Sequence, residues 1–139
     1  MPVVSLRLDF STQGRSEVID ITEQVAEGVM QSGIANGVVT IFVPGSTAAL
    51  TTVEFEGGLI EDFQVLWELL IPQDREYGHN EKWHDGNAHS HLRASLLGPS
   101  LSVPFIDRRL NLGTWQQIVL VDFDNRPRSR KVICQIIGE

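Results

Sequence analysis

The segment Gln117-Ile118-Val119-Leu120-Val121-Asp122-Phe123-Asp124-Asn125-Arg126-Pro127-Arg128-Ser129-Arg130-Lys131-Val132-Ile133-Cys134-Gln135-Ile136-Ile137 decides the fold class. Two β-branched runs flank Asp124-Asn125-Arg126-Pro127, whose residue types break a strand and reverse the chain. The reading is a β-hairpin from Gln117 to Ile137. A second hairpin precedes it, Leu101 to Ile106 turning at Asp107-Arg108-Arg109 into Leu110–Leu112. Val4, Leu6, Leu8 and Phe10 alternate and predict a first strand with one buried face. Glu17–Asp20 reads as a short second strand after the Gln13-Gly14 turn. Gly37-Val38-Val39-Thr40-Ile41-Phe42-Val43 is nearly all apolar, as expected of a central strand covered on both faces. A short strand runs through Leu50 to Phe55.

The helices are fewer. Ile21, Val25 and Val29 share one helical face, with Asp20 and Glu23 placed as a capping pair and Gly33 as a stop. Leu59, Ile60, Phe63, Leu66, Trp67 and Leu70 follow helical spacing up to Pro72. A shorter helix begins at Asn87 or Ser90 and ends at Gly98-Pro99. The expected architecture is α+β: a single compact, antiparallel-rich, β-sandwich-like domain over residues 1–139 with two main helices.

Composition narrows the function. The 139 residues carry a net charge of −7, 42% hydrophobic and 21% charged residues. An acidic chain of this kind argues against nucleic-acid and anionic-membrane binding. No apolar run is long enough to cross a membrane, and the first residues lack the pattern of a secretory signal. The single cysteine, Cys134, sits among apolar residues, reads as core, and fits a reducing cytoplasm. Residues 1–92 hold four Lys/Arg against fourteen Asp/Glu, whereas residues 93–139 hold seven against four. A cationic patch on an acidic protein suits a small phosphorylated metabolite better than a polymer; a charged strand edge is the plainer alternative.

All four histidines fall between positions 79 and 91, with Glu81, Asp85, Asn80 and Asn87 among them. In a strand or at the start of a helix, His89 and His91 can share a face and one ion; inside a regular helix they diverge by about 200°. Three imidazoles with an open position make a catalytic zinc pattern, and imidazole also serves nickel, iron and copper. The alternative is a set of surface-loop histidines. Pro44-Gly45-Ser46-Thr47 follows a buried strand and offers amides and hydroxyls to a phosphate, or is an ordinary turn. Glu54 stands alone in an apolar, threonine-rich stretch, either as a base or as an edge-strand gatekeeper. Gly113-Thr114-Trp115-Gln116 offers close approach, a stacking face and amide hydrogen bonds. Arg126-Pro127-Arg128-Ser129-Arg130 is a compact cationic turn whose arginines bind phosphate or solvate a hairpin tip.

With these residues in view, the chain resembles the YjbQ-like family, also described as secondary thiamine-phosphate synthases. The resemblance rests on Asn87-Ala88-His89-Ser90-His91-Leu92 leading into Ser95-Leu96-Leu97-Gly98, and on Leu110-Asn111-Leu112-Gly113-Thr114-Trp115-Gln116. Ser46-Thr47-Ala48-Ala49-Leu50 through Glu54 and the Arg-Pro-Arg turn match as well. It implies a homotrimer with sites near subunit interfaces, lined by histidines and holding a divalent metal. That ion is zinc or another transition metal, with magnesium the alternative for a diphosphate substrate. Carried over by position, His79, His89 and His91 are the metal ligands, although many members have an acidic residue at the place of His89. Glu54, His91 and Gln116 are the catalytic residues; Ser46, Thr47, Asn87, Thr114, Arg126 and Arg128 bind substrate. Many members have a histidine where this chain has Gly45, and His84 is the candidate replacement. The implied reaction joins a pyrimidine diphosphate to a thiazole phosphate and releases pyrophosphate, with cations on the leaving group. A metal-assisted hydrolase of small phosphates or esters and a non-catalytic metabolite-binding trimer are the alternatives.

Overall fold

The computed structural model describes residues 1–139 as two antiparallel sheets with four helices. The strands are β1 (Val3–Thr12), β2 (Glu17–Asp20), β3 (Gly37–Phe42), β4 (Ala48–Val53), β5 (Ser100–Ile106), β6 (Arg109–Leu110), β7 (Gln117–Asp122) and β8 (Arg128–Gly138). The helices are α1 (Thr22–Gln31), α2 (Gly57–Leu70), α3 (Gly78–Trp83) and α4 (Ala88–Leu97). The larger sheet has the order β1-β8-β3-β5-β6 and the smaller β2-β7-β4.

Alternation builds the core. On β8, Val132, Cys134 and Ile136 point inward in phase, against Val39 and Ile41 of β3 and Val103 and Phe105 of β5. Ile118 and Leu120 of β7 and Leu50 of β4 meet them from the smaller sheet. The opposite face of the smaller sheet presents Ala49, Val119, Val121 and Phe123 to Trp67 of α2 and Ala94 of α4. Trp67 is held edge-on between Phe63 and Phe123, with centroids 5.5 and 4.9 Å away. The order is therefore sheet, sheet, helices, an α+β sandwich as expected.

Four local expectations change. The Gln117–Ile137 segment is not a hairpin: β7 pairs with β2 and β4, while β8 crosses to the other sheet and pairs with β1 and β3. The same crossing separates β1 from β2. The Asp107 turn does make a hairpin, pairing Phe105 with Leu110. β3 is central, but only one face is covered: Val38 and Phe42 remain 43% and 42% exposed on the outer side of the larger sheet. The capping pair at α1 does not form as a box. Asp20 accepts from the backbone and hydroxyl of Thr22, and Ile21 is the N-cap. Part of the histidine segment is helical, giving α3 in addition to the two main helices and the shorter one expected.

α4 fixes the placement of two histidines. Asn87 is its N-cap residue, and its carbonyl accepts from the N–H groups of Ser90 and His91. His89 and His91 therefore both lie in regular helix. Gly98, at φ +102°, ends it.

Candidate functional site

His91 is the residue around which polar and apolar groups converge. It borders a hollow of about 310 Å³ with Tyr77, Gly78, His79, Ala88 and Leu92. It also borders one of about 210 Å³ with Gly45, Ser46, Ala48, Ala94, Ser95 and Pro99. α4 and the β3–β4 turn thus face each other across a cleft with an imidazole between its two parts.

The walls are tied down locally. Asn80 Oδ1 accepts from the N–H of Ala88 at 3.0 Å, docking α3 on the start of α4. Asn125 Nδ2 donates to the Asp85 carbonyl at 2.8 Å, docking the intervening loop on the β7–β8 crossing. These bonds bring the His79 ring to the His91 ring, with centroids 4.8 Å apart and planes inclined by 48°. Asp85 Oδ1 lies 3.4 Å from His79 Nδ1, too poorly aligned for a hydrogen bond.

His89 does not join them. Successive residues two apart on a helix diverge by about 200°, and His89 points into the protein at 3% exposure. Its neighbours are Ser90, Arg93, Glu68 and Asp124. Burial, then the Arg93 charge, hold its pKa below the ordinary imidazole value. Its Nδ1 has no partner. His84 ends α3 in the left-handed region and is exposed. The expected triad His79, His89, His91 is corrected: the helix splits it, and no group of three His, Cys, Asp or Glu side chains stands at metal-binding distance within the chain. The residues present do not fit that divalent metal site, and His84 does not repair it.

The expected substrate and catalytic residues fall into three places. Ser46 lines the smaller hollow. Thr47 lies beneath it, 4% exposed, its hydroxyl donating to Asp124 and accepting from Arg130 Nη2. Asn87 is buried at the start of α4, with Oδ1 unpartnered. Glu54, Thr114 and Gln116 share a shallow hollow with Thr52 and Trp115. There Gln116 accepts from the N–H of Gly113 and donates to Thr52. Ala48 borders the His91 cleft and Val53 borders this hollow, so the two stand at opposite ends of β4, roughly 17 Å apart at 3.3–3.4 Å per residue. One chain does not bring Glu54 and Gln116 to His91. Arg126 is exposed on the crossing, and Arg128 Nε is committed to Asp124 Oδ2 at 2.6 Å.

The sequence reading placed Arg130 in a cationic turn, and the structure buries it. It is buried, with Nε and Nη2 on Asp122 at 2.7 and 2.8 Å. The signal was present: Arg130 keeps phase with Val132, Cys134 and Ile136, so a period of two turns it inward. Asp122 and Asp124 are fully buried and matched by Arg130 and Arg128. Burial raises the Asp124 pKa, but the Asn125 N–H and the Arg128 guanidinium outweigh it and hold the carboxyl below its ordinary range.

A two-sheet α+β domain with one histidine-centred cleft defines a class of small proteins with room for a small ligand. The chain belongs to the UPF0047, YjbQ-like family, whose model matches residues 6–139. A UPF0047 protein of Methanothermobacter thermautotrophicus is 41% identical over 139 residues, covering 100% of this chain and 95% of its own. One of Archaeoglobus fulgidus is 41% identical, covering 95% of this chain and 100% of its own. The crystal structure of a protein of unknown function from Sulfolobus solfataricus superposes with a TM-score of 0.90 at 37% identity, over 99% of this chain and 100% of that one. A hypothetical protein from Aeropyrum pernix gives 0.86 at 34%, over 96% and 99%. The fold is thereby shown. The thiamine-phosphate synthase reaction is corrected: these relatives are of unassigned function, none is described as a transferase, and the metal triad it called for does not form.

Proposed function

We propose that this protein binds a small phosphorylated metabolite in the cleft around His91 and exchanges a proton with it through the His79–His91 pair. The observation that carries the reading is the shared position of His91, which borders both hollows and meets His79 at 4.8 Å. Ser46 and the free amides of its turn supply donors on the facing wall, in keeping with an oxyanion. A wider hollow of about 570 Å³, beside Val38 and Ile137, is a mainly apolar groove with no imidazole and supports no such chemistry. No helix is long and apolar enough to cross a membrane. We infer a cytoplasmic setting from the lone thiol and no nucleic-acid partner from the net charge of −7.

We further propose the homotrimer. α2 leaves Val65, Leu69 and Leu70 at 59%, 76% and 55% exposure, α4 leaves Leu96 at 64%, and the larger sheet leaves Val38, Phe42 and Ile137 open. These exposed apolar side chains are candidates for burial between copies. Assembly is also a route by which the Glu54–Gln116 hollow of one copy can approach the His91 cleft of another.

Thermal unfolding with a panel of phosphate monoesters and their dephosphorylated counterparts tests the binding. A ligand at tenfold its Kd should raise Tm by on the order of 5 °C, only when phosphorylated and not in His91→Ala. Equal shifts with both panels, or none, contradict the reading. Light scattering tests the assembly: a mass of 15.5 kDa, that of one chain, contradicts the trimer.

A further inference from the structure

We propose that Arg130, reached across Gly45, forms an oxyanion subsite at the turn end of the cleft and holds a phosphate group there. The inference rests on the reading that the His91 cleft takes an anionic ligand, and adds the residues that grip the anion. A guanidinium carries five N–H donors in a planar fork. Arg130 is 9% exposed at its side chain, and Nε and Nη2 are spent on Asp122 and Thr47. Nη1 has no partner. It is nevertheless not one of the sealed, unpartnered atoms, which are Trp67 Nε1, His79 Nδ1, Asn87 Oδ1 and His89 Nδ1. The Nη1 edge is therefore open to solvent.

Gly45 is what leaves it open. A Cβ at this position would stand 3.1 Å from Nη1, and φ is +136°, a conformation that side-chain-bearing residues rarely adopt. Gly45 also borders the His91 hollow. The N–H groups of Gly45, Ser46 and Thr47 have no acceptor within the chain. Free guanidinium N–H donors and consecutive free amides in one turn are the donor set that tetrahedral oxyanions take. Asp122 and Asp124 stand close by, but their charges are already met. Arg130 and Thr12 bind Asp122, while Arg128, Thr47 and the Asn125 N–H bind Asp124. Arg126 and Arg128, the arginines singled out by sequence, are not needed for the grip.

The test is a titration of the ¹⁵N-labelled wild-type protein with inorganic phosphate, reading backbone amides, arginine side-chain resonances and histidine rings separately. The expected result is saturable shifts of the Gly45, Ser46 and Thr47 amides and of the Arg130 guanidinium, with one common Kd. Gly45→Ala should weaken binding about tenfold or more, equivalent to about 1.4 kcal/mol. If that variant does not fold, the wild-type titration decides alone. Shifts at the His91 ring with none at residues 45–47 or Arg130 overturn the subsite and leave the His91 reading standing. Shifts confined to Arg126 and Lys131, or no saturable shift at all, also overturn the subsite. The phosphate-ester panel then decides the His91 reading separately.

Discussion

His79 and His91 lie ring to ring at 4.8 Å, although one belongs to α3 and the other to α4. Two hydrogen bonds that involve asparagines, the Ala88 N–H to Asn80 Oδ1 and Asn125 Nδ2 to the Asp85 carbonyl, hold them there. The pair is thus a tertiary feature, and the histidine nearest in sequence, His89, is excluded from it by helix geometry. That division separates ligand effects from stability effects.

Substituting the histidines one at a time should reveal it. His91→Ala removes ligand-induced stabilisation and leaves the unliganded Tm nearly unchanged. His89→Ala keeps ligand-induced stabilisation but lowers stability by about 2 kcal/mol, because it empties a buried position. Chemical denaturation with and without a phosphate ester measures both.

Arg93 is the strongest structural clamp beside the site. It donates to the Ile71 carbonyl from Nε and Nη2, to Ser16 Oγ from Nη1 and to Glu68 from Nη2. It therefore joins α4 to the end of α2 and to the β1–β2 turn. Glu68 is half-exposed, so the charge pair itself contributes little. Arg93→Ala leaves the Ile71 carbonyl and Ser16 short of partners and should cost about 2–4 kcal/mol, read as a fall in the urea midpoint. Glu68→Gln should cost well under half of that.

Acid should weaken the fold in two stages. Burial and Arg93 keep His89 neutral below its ordinary pKa of 6.5. The unfolded chain therefore takes up that proton first, and stability falls as pH drops below 6.5 toward the folded value. Asp124 is burdened by burial, but its hydrogen bonds to Asn125 and Arg128 hold its pKa below 3.8. The unfolded carboxyl again protonates first, so a second loss begins near pH 3.8 and continues through the folded value. Unfolding free energies measured against pH check both, and His89→Gln should flatten the first stage only.

Burial pushes the Cys134 thiol up to about 11. A thiol that stays protonated and 2% exposed should not react with a disulfide reagent in the native state. Reaction should appear in step with unfolding in denaturant. Prompt reaction in buffer would contradict the placement of Cys134 in the core.

Much of the fold was legible because it is written in local periodicity. α1 and α2 follow their apolar spacing, β3 follows its apolar run, and Asn87 and Gly98 mark the ends of α4 as their residue types suggest. Pairing was not legible. Asp124-Asn125-Arg126-Pro127 announces a reversal, but a crossing between sheets and a hairpin use the same turn chemistry, and only packing decides. β3 looked doubly buried because Val38 and Phe42 are apolar, yet the single chain has nothing to lay over them. α3 was hidden because a six-residue helix with no buried residue leaves little periodic trace. At the site, the sequence singled out His91, which borders both hollows, and the metal triad does not form within the chain. The triad depended on His89 and His91 sharing a face, which regular helix forbids. Arg130 was read as part of a cationic surface turn because of its charge, while its alternation with Val132 pointed inward.

The central claim is that His91 sits where a phosphorylated ligand binds. Its most direct test is ¹H–¹³C NMR of the four histidine rings during titration with a phosphate monoester that raises Tm. The account predicts saturable shifts of the His91 and His79 rings with one Kd, and little movement of His84. Ligand binding that leaves His91 and His79 unmoved, or that moves His84 alone, would contradict it.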